Sequence, residues 1–92
     1  GTGADGLQVD CGFTAGARFV IIKRADGTGP WYVFDSTRGI VSGNDPYVQL
    51  NSADAQLSNN DIVDPYNPGF IVNNVGSGVN ASGGTYLFLA IA

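Results

Sequence analysis

A β-hairpin around residues 25–30 is the feature that most restricts what this chain can fold into. Residues 18–24 (RFVIIKR) and 31–35 (WYVFD) are rich in β-branched and aromatic side chains, which favour extended strands. The intervening ADGTGP holds an Asp-Gly pair, a further glycine and a proline, the composition of a hairpin connection. Residues 19–22 are apolar on both faces, so we expect the first strand to be central and covered on both sides.

The remaining composition favours strands and turns over helices. The 92 residues include 14 glycines and no methionine, and all eight acidic residues are aspartate. Strong helix formers are therefore scarce, while residues common in strands and turns are abundant. Further strands are predicted at 7–13, 47–51, 69–73 and 85–92, with a brief one at 62–63. The longest predicted loops are 52–68 and 74–84.

These patterns predict an all-β fold, a small antiparallel β-sandwich of jelly-roll-like type with about six to eight short strands. The length predicts a single domain over residues 7–92, with residues 1–6 as a flexible linker or a cloning remnant. Cys11 is the only cysteine, so no disulfide forms within the chain. Because a domain of this size has a modest core, we expect oligomerisation to supplement its stability.

The C-terminal stretch 85–92 (TYLFLAIA) predicts an interface. It contains no charged residue and has apolar side chains on both faces. Such a strand at an open edge would promote aggregation. We therefore expect it to be central in its sheet or buried between subunits, with the subunit interface formed by Tyr86, Leu87, Phe88, Leu89 and Ile91.

The inventory of reactive side chains argues against catalysis. The chain has no histidine, which removes the usual general base and the common nucleophile-histidine pairs. Asp61 and Asp64 lie three residues apart, but turn capping explains them better than acid–base chemistry. The net charge of −4 opposes binding to nucleic acid or an anionic membrane, and we expect no membrane insertion.

No metal or cofactor is expected. Zinc is excluded by one cysteine and no histidine. Calcium needs clustered oxygen ligands, and the candidates are Asn59, Asn60, Asp61 and Asp64, or Asn44 and Asp45. Their spacing is not that of an EF-hand and does not repeat, so we interpret these residues as turn-forming, with a calcium-binding loop as the alternative.

Two further groups have both a structural and a functional interpretation. Asp35 and Arg38 are interpreted as a local pair that fixes the turn at Gly39, with a carboxylate or sugar ligand role for Arg38 as the alternative. The tryptophan and the tyrosines could form a sugar-stacking platform, but most alternate along strands and are expected in the core or an interface. Tyr66, between two prolines, is the aromatic residue we expect to be exposed.

Several segments carry a family resemblance. The order FVIIKRADGTGPWYVFDSTRGI, NDPYVQLNS, GFIVNN and NASGGTYLFLAIA resembles the C-terminal domain of tail-fibre-like structural proteins of marine tailed bacteriophages. The similarity covers residues 7–92. Its most specific motifs are W-x-x-F-D-S-x-R-G at 31–39 and S-G-x-T-Y-L-F-L-A-I-A at 82–92.

This resemblance implies a virion component, a trimeric fibre tip or knob. Together with the missing catalytic side chains, it leads us to expect a non-enzymatic domain that attaches to a host surface glycan or outer-membrane protein. Loop side chains are the expected receptor contacts: Asn59, Asn60, Asp61, Tyr66, Asn67, Asn80 and Ser82. One alternative is a head-decoration or tail-connecting protein whose partners are other virion proteins. A second alternative is a monomeric carbohydrate-binding module.

Overall fold

A computed structural model describes residues 1–29, 31–50, 61–73 and 79–92. Two antiparallel sheets face each other across an apolar core, which confirms the predicted all-β sandwich-like fold. The described residues form seven strands and no helix: β1 (Leu7–Asp10), β2 (Phe19–Arg24), β3 (Tyr32–Asp35), β4 (Val48–Gln49), β5 (Val63–Tyr66), β6 (Gly69–Val72) and β7 (Tyr86–Ile91). Among these residues, no segment is a helix long and apolar enough to cross a membrane.

The predicted hairpin is present as β2 and β3, one residue shorter at the start of each strand. Ile21 pairs with Val33, and Phe19 pairs with Asp35. β3 also pairs with β4, and β2 pairs with β7, so the larger sheet has the order β4-β3-β2-β7. β2 is therefore central within its sheet, as its apolar sequence predicts.

The prediction that β2 is covered on both faces is wrong for the single chain. Val20 and Ile22 are buried against the opposite sheet, whereas Phe19 and Ile21 on the outer face are only partly buried. A strand with apolar residues on both faces thus has one face packed within the chain and one face turned outward.

The smaller sheet has the order β1-β6-β5 and corrects one predicted loop. The sequence predicts a loop over residues 52–68 with a brief strand at 62–63, but Val63–Tyr66 forms β5 and pairs with β6. Pro65 obscures this strand in the sequence because proline lacks the N–H that a central strand needs. β5 lies at an edge of its sheet, where a proline is tolerated.

The N-terminal residues are docked on the sandwich, whereas composition predicts a flexible linker. The Gly1 amine donates to the Gly84 carbonyl at 2.7 Å, and Gly3 N–H donates to the Asn80 carbonyl at 2.8 Å. Thr2 N–H donates to Asn80 Oδ1 at 2.8 Å. This network closes one end of the fold.

β7 lies at the edge of the larger sheet in the described part of the chain. The prediction that it is a central strand is therefore wrong, and the alternative, burial between subunits, remains a prediction. On its inner side Tyr86 and Ala90 pack against the core, and Phe88 meets Phe70 edge to face at 5.3 Å between ring centroids.

Candidate functional site

An apolar outer surface on β2 and β7 is not explained by packing of the core. We call it the β7 face, formed by Phe19, Ile21, Leu87, Leu89 and Ile91. Cross-strand pairing aligns these side chains, since Ile21 lies opposite Leu89 and Phe19 lies opposite Ile91. Paired residues in an antiparallel sheet point to the same side, so the five form one continuous patch.

The β7 face is open in the single chain. The exposed fractions are 58% for Leu87, 54% for Leu89 and 48% for Ile91, and Phe88 at the strand edge is 50% exposed. A groove of about 200 Å³ crosses the patch between Trp31, Ile21 and the β7 leucines. Exposed apolar residues that occur singly are ordinary, whereas contiguous apolar patches are typical of interaction sites, ligand grooves or aggregation-prone surfaces.

The backbone at the same edge can also pair. Ala25 N–H donates to the Thr85 carbonyl at 2.7 Å, so Ala25 and Thr85 are a hydrogen-bonded pair of the β2–β7 ladder. Hydrogen-bonded and non-hydrogen-bonded pairs alternate in an antiparallel ladder, so Phe88 and Ala90 direct their N–H and C=O groups away from β2. No strand of the described ranges pairs with that edge.

The five predicted interface residues therefore separate into two groups. Leu87, Leu89 and Ile91 lie on the β7 face, whereas Phe88 and Tyr86 point toward the gap between the sheets. Tyr86 is half-buried, and its hydroxyl accepts the Ala81 N–H at 2.9 Å. Tyr86 thus supports the fold more than a subunit interface.

Two of the predicted receptor contacts, Tyr66 and Asn67, lie together on the β5–β6 hairpin. Pro65, Tyr66, Asn67 and Pro68 line a shallow depression of about 430 Å³. Tyr66 is half-buried, with its hydroxyl 3.4 Å from Gln8 Oε1, so it is less exposed than predicted.

This hairpin is held firmly by the segment that follows β1. The Asn67 carbonyl accepts the Gly16 N–H at 2.8 Å, and the Pro68 carbonyl accepts N–H groups from Cys11 and Phe13. These bonds leave the Asn67 side chain exposed beside the Tyr66 ring on a braced turn.

The other predicted contacts lie elsewhere. Asp61 precedes β5 at the end opposite Tyr66, roughly 15 Å away along an extended strand. Ser82 is exposed next to the docked N-terminus. Asn80 is completely buried, and its amide nitrogen donates to the Ala4 carbonyl at 2.7 Å, so its side chain is not accessible to a receptor. Asn59 and Asn60 lie outside the described residues.

The Asp35–Arg38 pair closes the turn after β3. Arg38 Nε lies 3.2 Å from Asp35 Oδ2, and the Arg38 N–H donates to Asp35 Oδ1 at 2.7 Å. The Gly39 N–H donates to the Asp35 carbonyl at 2.9 Å. Both partners are partly exposed, so the contact fixes local geometry and contributes little stability.

Three aspartates from two distant segments meet beneath the smaller sheet, an arrangement that the sequence analysis missed. Carboxylate oxygens of Asp45, Asp61 and Asp64 lie within 4.8 Å of one another. Asn73 donates from its amide nitrogen to Asp61 Oδ1 at 3.1 Å and to Asp64 Oδ2 at 3.0 Å. We call these three carboxylates the aspartate cluster.

Asp45 is the buried member of the aspartate cluster. It is completely buried and accepts three backbone N–H groups, from Val41 to Oδ1 and from Ile62 and Val63 to Oδ2, each at 3.0 Å. Burial raises the pKa of Asp45, although these N–H groups oppose the rise.

Electrostatic repulsion acts on the rest of the cluster. Burial raises the pKa of Asp61, and the neighbouring Asp64 and Asp45 carboxylates raise it further. Asp45 and Asp64 each begin an Asp-Pro-Tyr tripeptide, but this repetition does not indicate that the two residues meet.

Comparison with known families places the whole chain in one group. A family model described as a domain of unknown function, DUF7483, matches residues 1–92. The chain belongs to this family. The match includes the docked N-terminal residues. No curated protein and no solved structure matches the chain.

Proposed function

We propose that this chain is a non-enzymatic attachment domain at the tip of a phage tail fibre, and that it assembles as a homotrimer through the β7 face. The observation that carries the proposal is the row of large apolar side chains exposed on an edge strand. Natural edge strands are normally protected by charges, prolines or bulges, and β7 has none of these. A partner subunit would supply the missing cover.

The energetic gain from covering β7 is sufficient to matter. Complete burial of one large apolar side chain contributes about 1.5–3 kcal/mol. Leu87, Leu89 and Ile91 on the β7 face are each about half exposed. Covering all three would therefore stabilise an assembly by roughly 2–4.5 kcal/mol per chain. Three-fold symmetry is the arrangement that the family resemblance implies.

The braced β5–β6 hairpin supports the attachment role. Tyr66 offers a ring face, and Asn67 offers an amide beside it, the combination that commonly recognises a sugar by stacking and hydrogen bonding. The turn is rigid, so little conformational entropy is lost on binding. A host surface glycan is thus the ligand that this hairpin fits best.

The first experiment measures the mass of the purified domain by light scattering. We expect a trimer for the natural chain and a folded monomer for Leu89→Glu, because a charge in the centre of the β7 face opposes its burial. The matched control is Val41→Glu, which places the same charge at a 45%-exposed apolar residue in a loop. That variant should remain trimeric.

The second experiment measures adsorption of the labelled domain to a panel of marine bacterial cells. Tyr66→Ala should reduce adsorption at least tenfold while leaving the oligomer mass unchanged. The control is Val41→Ala, which shortens an exposed apolar side chain in a loop outside both the β5–β6 hairpin and the β7 face. Unchanged adsorption of Tyr66→Ala to cells that bind the natural chain would exclude the hairpin as the receptor site.

A monomeric carbohydrate-binding module is the second candidate, favoured by the same depression around Tyr66. It predicts a monomer that is retained on immobilised polysaccharide. A monomer that binds neither cells nor polysaccharide would instead favour a tail-connecting or head-decoration protein, with the β7 face docked on another virion protein.

A further inference from the structure

An apolar cavity of about 170 Å³ lies between the two sheets, on the side where β1 faces β7. We call it the β1–β7 cavity. Apolar side chains of β1, β2, β6 and β7 line it, among them Leu7, Val9, Phe70 and Phe88. An engineered apolar cavity of about 150 Å³ stays dry and binds an apolar ring. The β1–β7 cavity is therefore large enough to hold one apolar side chain.

The strands that flank the β1–β7 cavity have incompletely covered inner faces. Leu7 and Val9 pack toward the core from β1, yet both are only partly buried. Phe88 points inward from β7, yet it is 50% exposed. On the opposite side of the sandwich, Val63 of the edge strand β5 is completely buried. The core is thus complete beneath β5 and lacks apolar cover between β1 and β7.

The backbone beside the cavity favours a polypeptide as the occupant. In the described part of the chain, the outward N–H and C=O groups of Phe88 and Ala90 have no strand partner. A small apolar molecule would fill the cavity but leave these groups to water. A strand added to the edge would make main-chain hydrogen bonds with them and direct alternate side chains toward the cavity.

Ladder geometry fixes which partner residues would point inward. Residues directly opposite each other in an antiparallel pair point to the same side of the sheet. The partner residue opposite Phe88 would therefore direct its side chain to the mouth of the cavity. Its two neighbours would point outward, on the same side as Leu87 and Leu89. The partner segment thus needs apolar residues at alternate positions and a large one in the centre.

The charge around the cavity favours a segment with basic ends. Asp5 and Asp10 lie on either side of β1, and both are exposed. They are the only charged residues between 1 and 17, and the net charge of the chain is −4. Opposite charges favour the encounter of two partners. A second copy of β7 fits poorly, because it has no basic residue and its Phe88 already packs against Phe70 of its own chain.

We propose that the edge of β7 binds an extended segment of another protein by β-strand addition, with one large apolar side chain of that segment in the β1–β7 cavity. The backbone of Phe88 and Ala90 supplies hydrogen bonds, while Leu7, Val9 and Phe88 contact the inserted side chain. The site uses the edge and the inner side of β7. It does not depend on the homotrimer, which uses the outer β7 face.

The test measures binding of the fluorescein-labelled synthetic peptide KTVTFTVTK to the complete chain by fluorescence anisotropy. This peptide has apolar residues at alternate positions, a central phenylalanine and a lysine at each end. We expect saturable binding with a dissociation constant below about 100 μM. Replacing the phenylalanine by alanine should weaken binding at least about tenfold, because the cavity then stays unfilled.

N-methylated peptides separate strand addition from non-specific apolar adsorption. The N–H groups of alternate residues face the neighbouring strand in an antiparallel ladder. The N–H of the peptide phenylalanine, opposite Phe88, would face β7, and N-methylation there should weaken binding at least about tenfold. N-methylation of the adjacent threonine, whose N–H faces solvent, is the matched control and should change the affinity by less than about twofold.

Variants of the chain test the edge and the cavity separately. Ala90→Pro removes an N–H that faces the open edge, where proline is tolerated, and should weaken peptide binding without changing the oligomer mass. Val9→Phe fills the cavity from β1 and should also weaken binding. Its control is Val41→Phe, which places the same ring on an exposed loop residue and should have no effect. An unchanged mass distinguishes loss of this site from loss of the proposed trimer.

Three results would overturn the proposal. The first is the absence of saturable peptide binding to the natural chain, which needs no variant to fold. The second is an equal loss of affinity for the two N-methylated peptides, which would indicate apolar adsorption without strand pairing. The third is a lower oligomer mass for Ala90→Pro, since the edge of β7 would then be an interface between copies of this chain.

Discussion

At the scale of single residues, the buried Asp45 carboxylate joins two segments of the fold that are distant in sequence. Its carboxylate holds three backbone N–H groups from two segments, and the side chain is fully buried. A hydrogen bond to a charged group contributes about 1.5–3 kcal/mol, and each orphaned buried donor costs about 1–3 kcal/mol. The loss of this one side chain should therefore be severe.

We predict that Asp45→Ala lowers the free energy of unfolding by about 3–5 kcal/mol, measured by urea denaturation. Asp10→Ala, which removes an exposed cap with one N–H partner, should cost about 1 kcal/mol or less. Similar losses for the two variants would contradict the role assigned to Asp45.

Cys11 offers a second prediction at this scale. Burial raises the pKa of the Cys11 thiol, and the adjacent Asp10 carboxylate raises it further. At pH 8 the folded chain therefore holds less reactive thiolate than an unfolded chain. Alkylation by iodoacetamide should be slower in the native protein than in 6 M guanidinium. Equal rates would show that the thiol is neither shielded nor shifted.

At the scale of secondary-structure elements, local pattern predicts most strands. The β2–β3 hairpin, β1, β6 and β7 follow from β-branched and aromatic runs bounded by glycine-rich turns. β5 does not follow, because Pro65 and the polar residues around it resemble a loop. Edge position in the sheet overrides that local preference, and edge position is decided by tertiary pairing rather than by composition.

The β1–β6 pairing yields a prediction about Gly69. A Cβ at this position would overlap the Val9 carbonyl oxygen of the neighbouring strand, and both are backbone-anchored. Gly69→Ala should therefore push the two strands apart and lower the free energy of unfolding of the domain by at least about 3 kcal/mol.

Gly83 provides the matched control for Gly69. Gly83 has a φ of +74°, and a Cβ attached there would have no heavy atom within 4 Å, so alanine meets only backbone strain. That strain costs about 1–2 kcal/mol. Thermal unfolding of both variants compares a steric cost with a conformational one, and a smaller loss at Gly69 would contradict the packing argument.

At the scale of the whole molecule, fold class is predictable from the sequence and the assembly of sites is not. The edge position of the C-terminal strand cannot be read from the sequence either, because an uncharged strand with two apolar faces is equally typical of a central strand. The aspartate cluster cannot be predicted, since it joins residue 45 to residues 61 and 64 through a contact between segments distant in sequence. Asn80 is expected at the surface because polar loop residues usually are, but it organises the docked N-terminus instead.

A homotrimer also makes a prediction about the stability of the whole assembly. If folded chains are held together through the β7 face, unfolding releases three chains and the melting temperature depends on concentration. A roughly hundredfold increase in chain concentration, within the range where the trimer forms, adds two thirds of RT ln 100, or about 1.8 kcal/mol per chain. For a domain of this size that corresponds to a rise of about 7–14 °C.

Calorimetric scans at about 5 and 500 μM chain would measure this dependence. The Leu89→Glu variant should melt at one temperature at both concentrations, because it has no assembly to lose. Val41→Glu should retain the full dependence of the natural chain. A natural chain whose melting temperature does not change would mean that the exposed β7 face contributes nothing to stability through self-association, and its partner would then have to be a different protein.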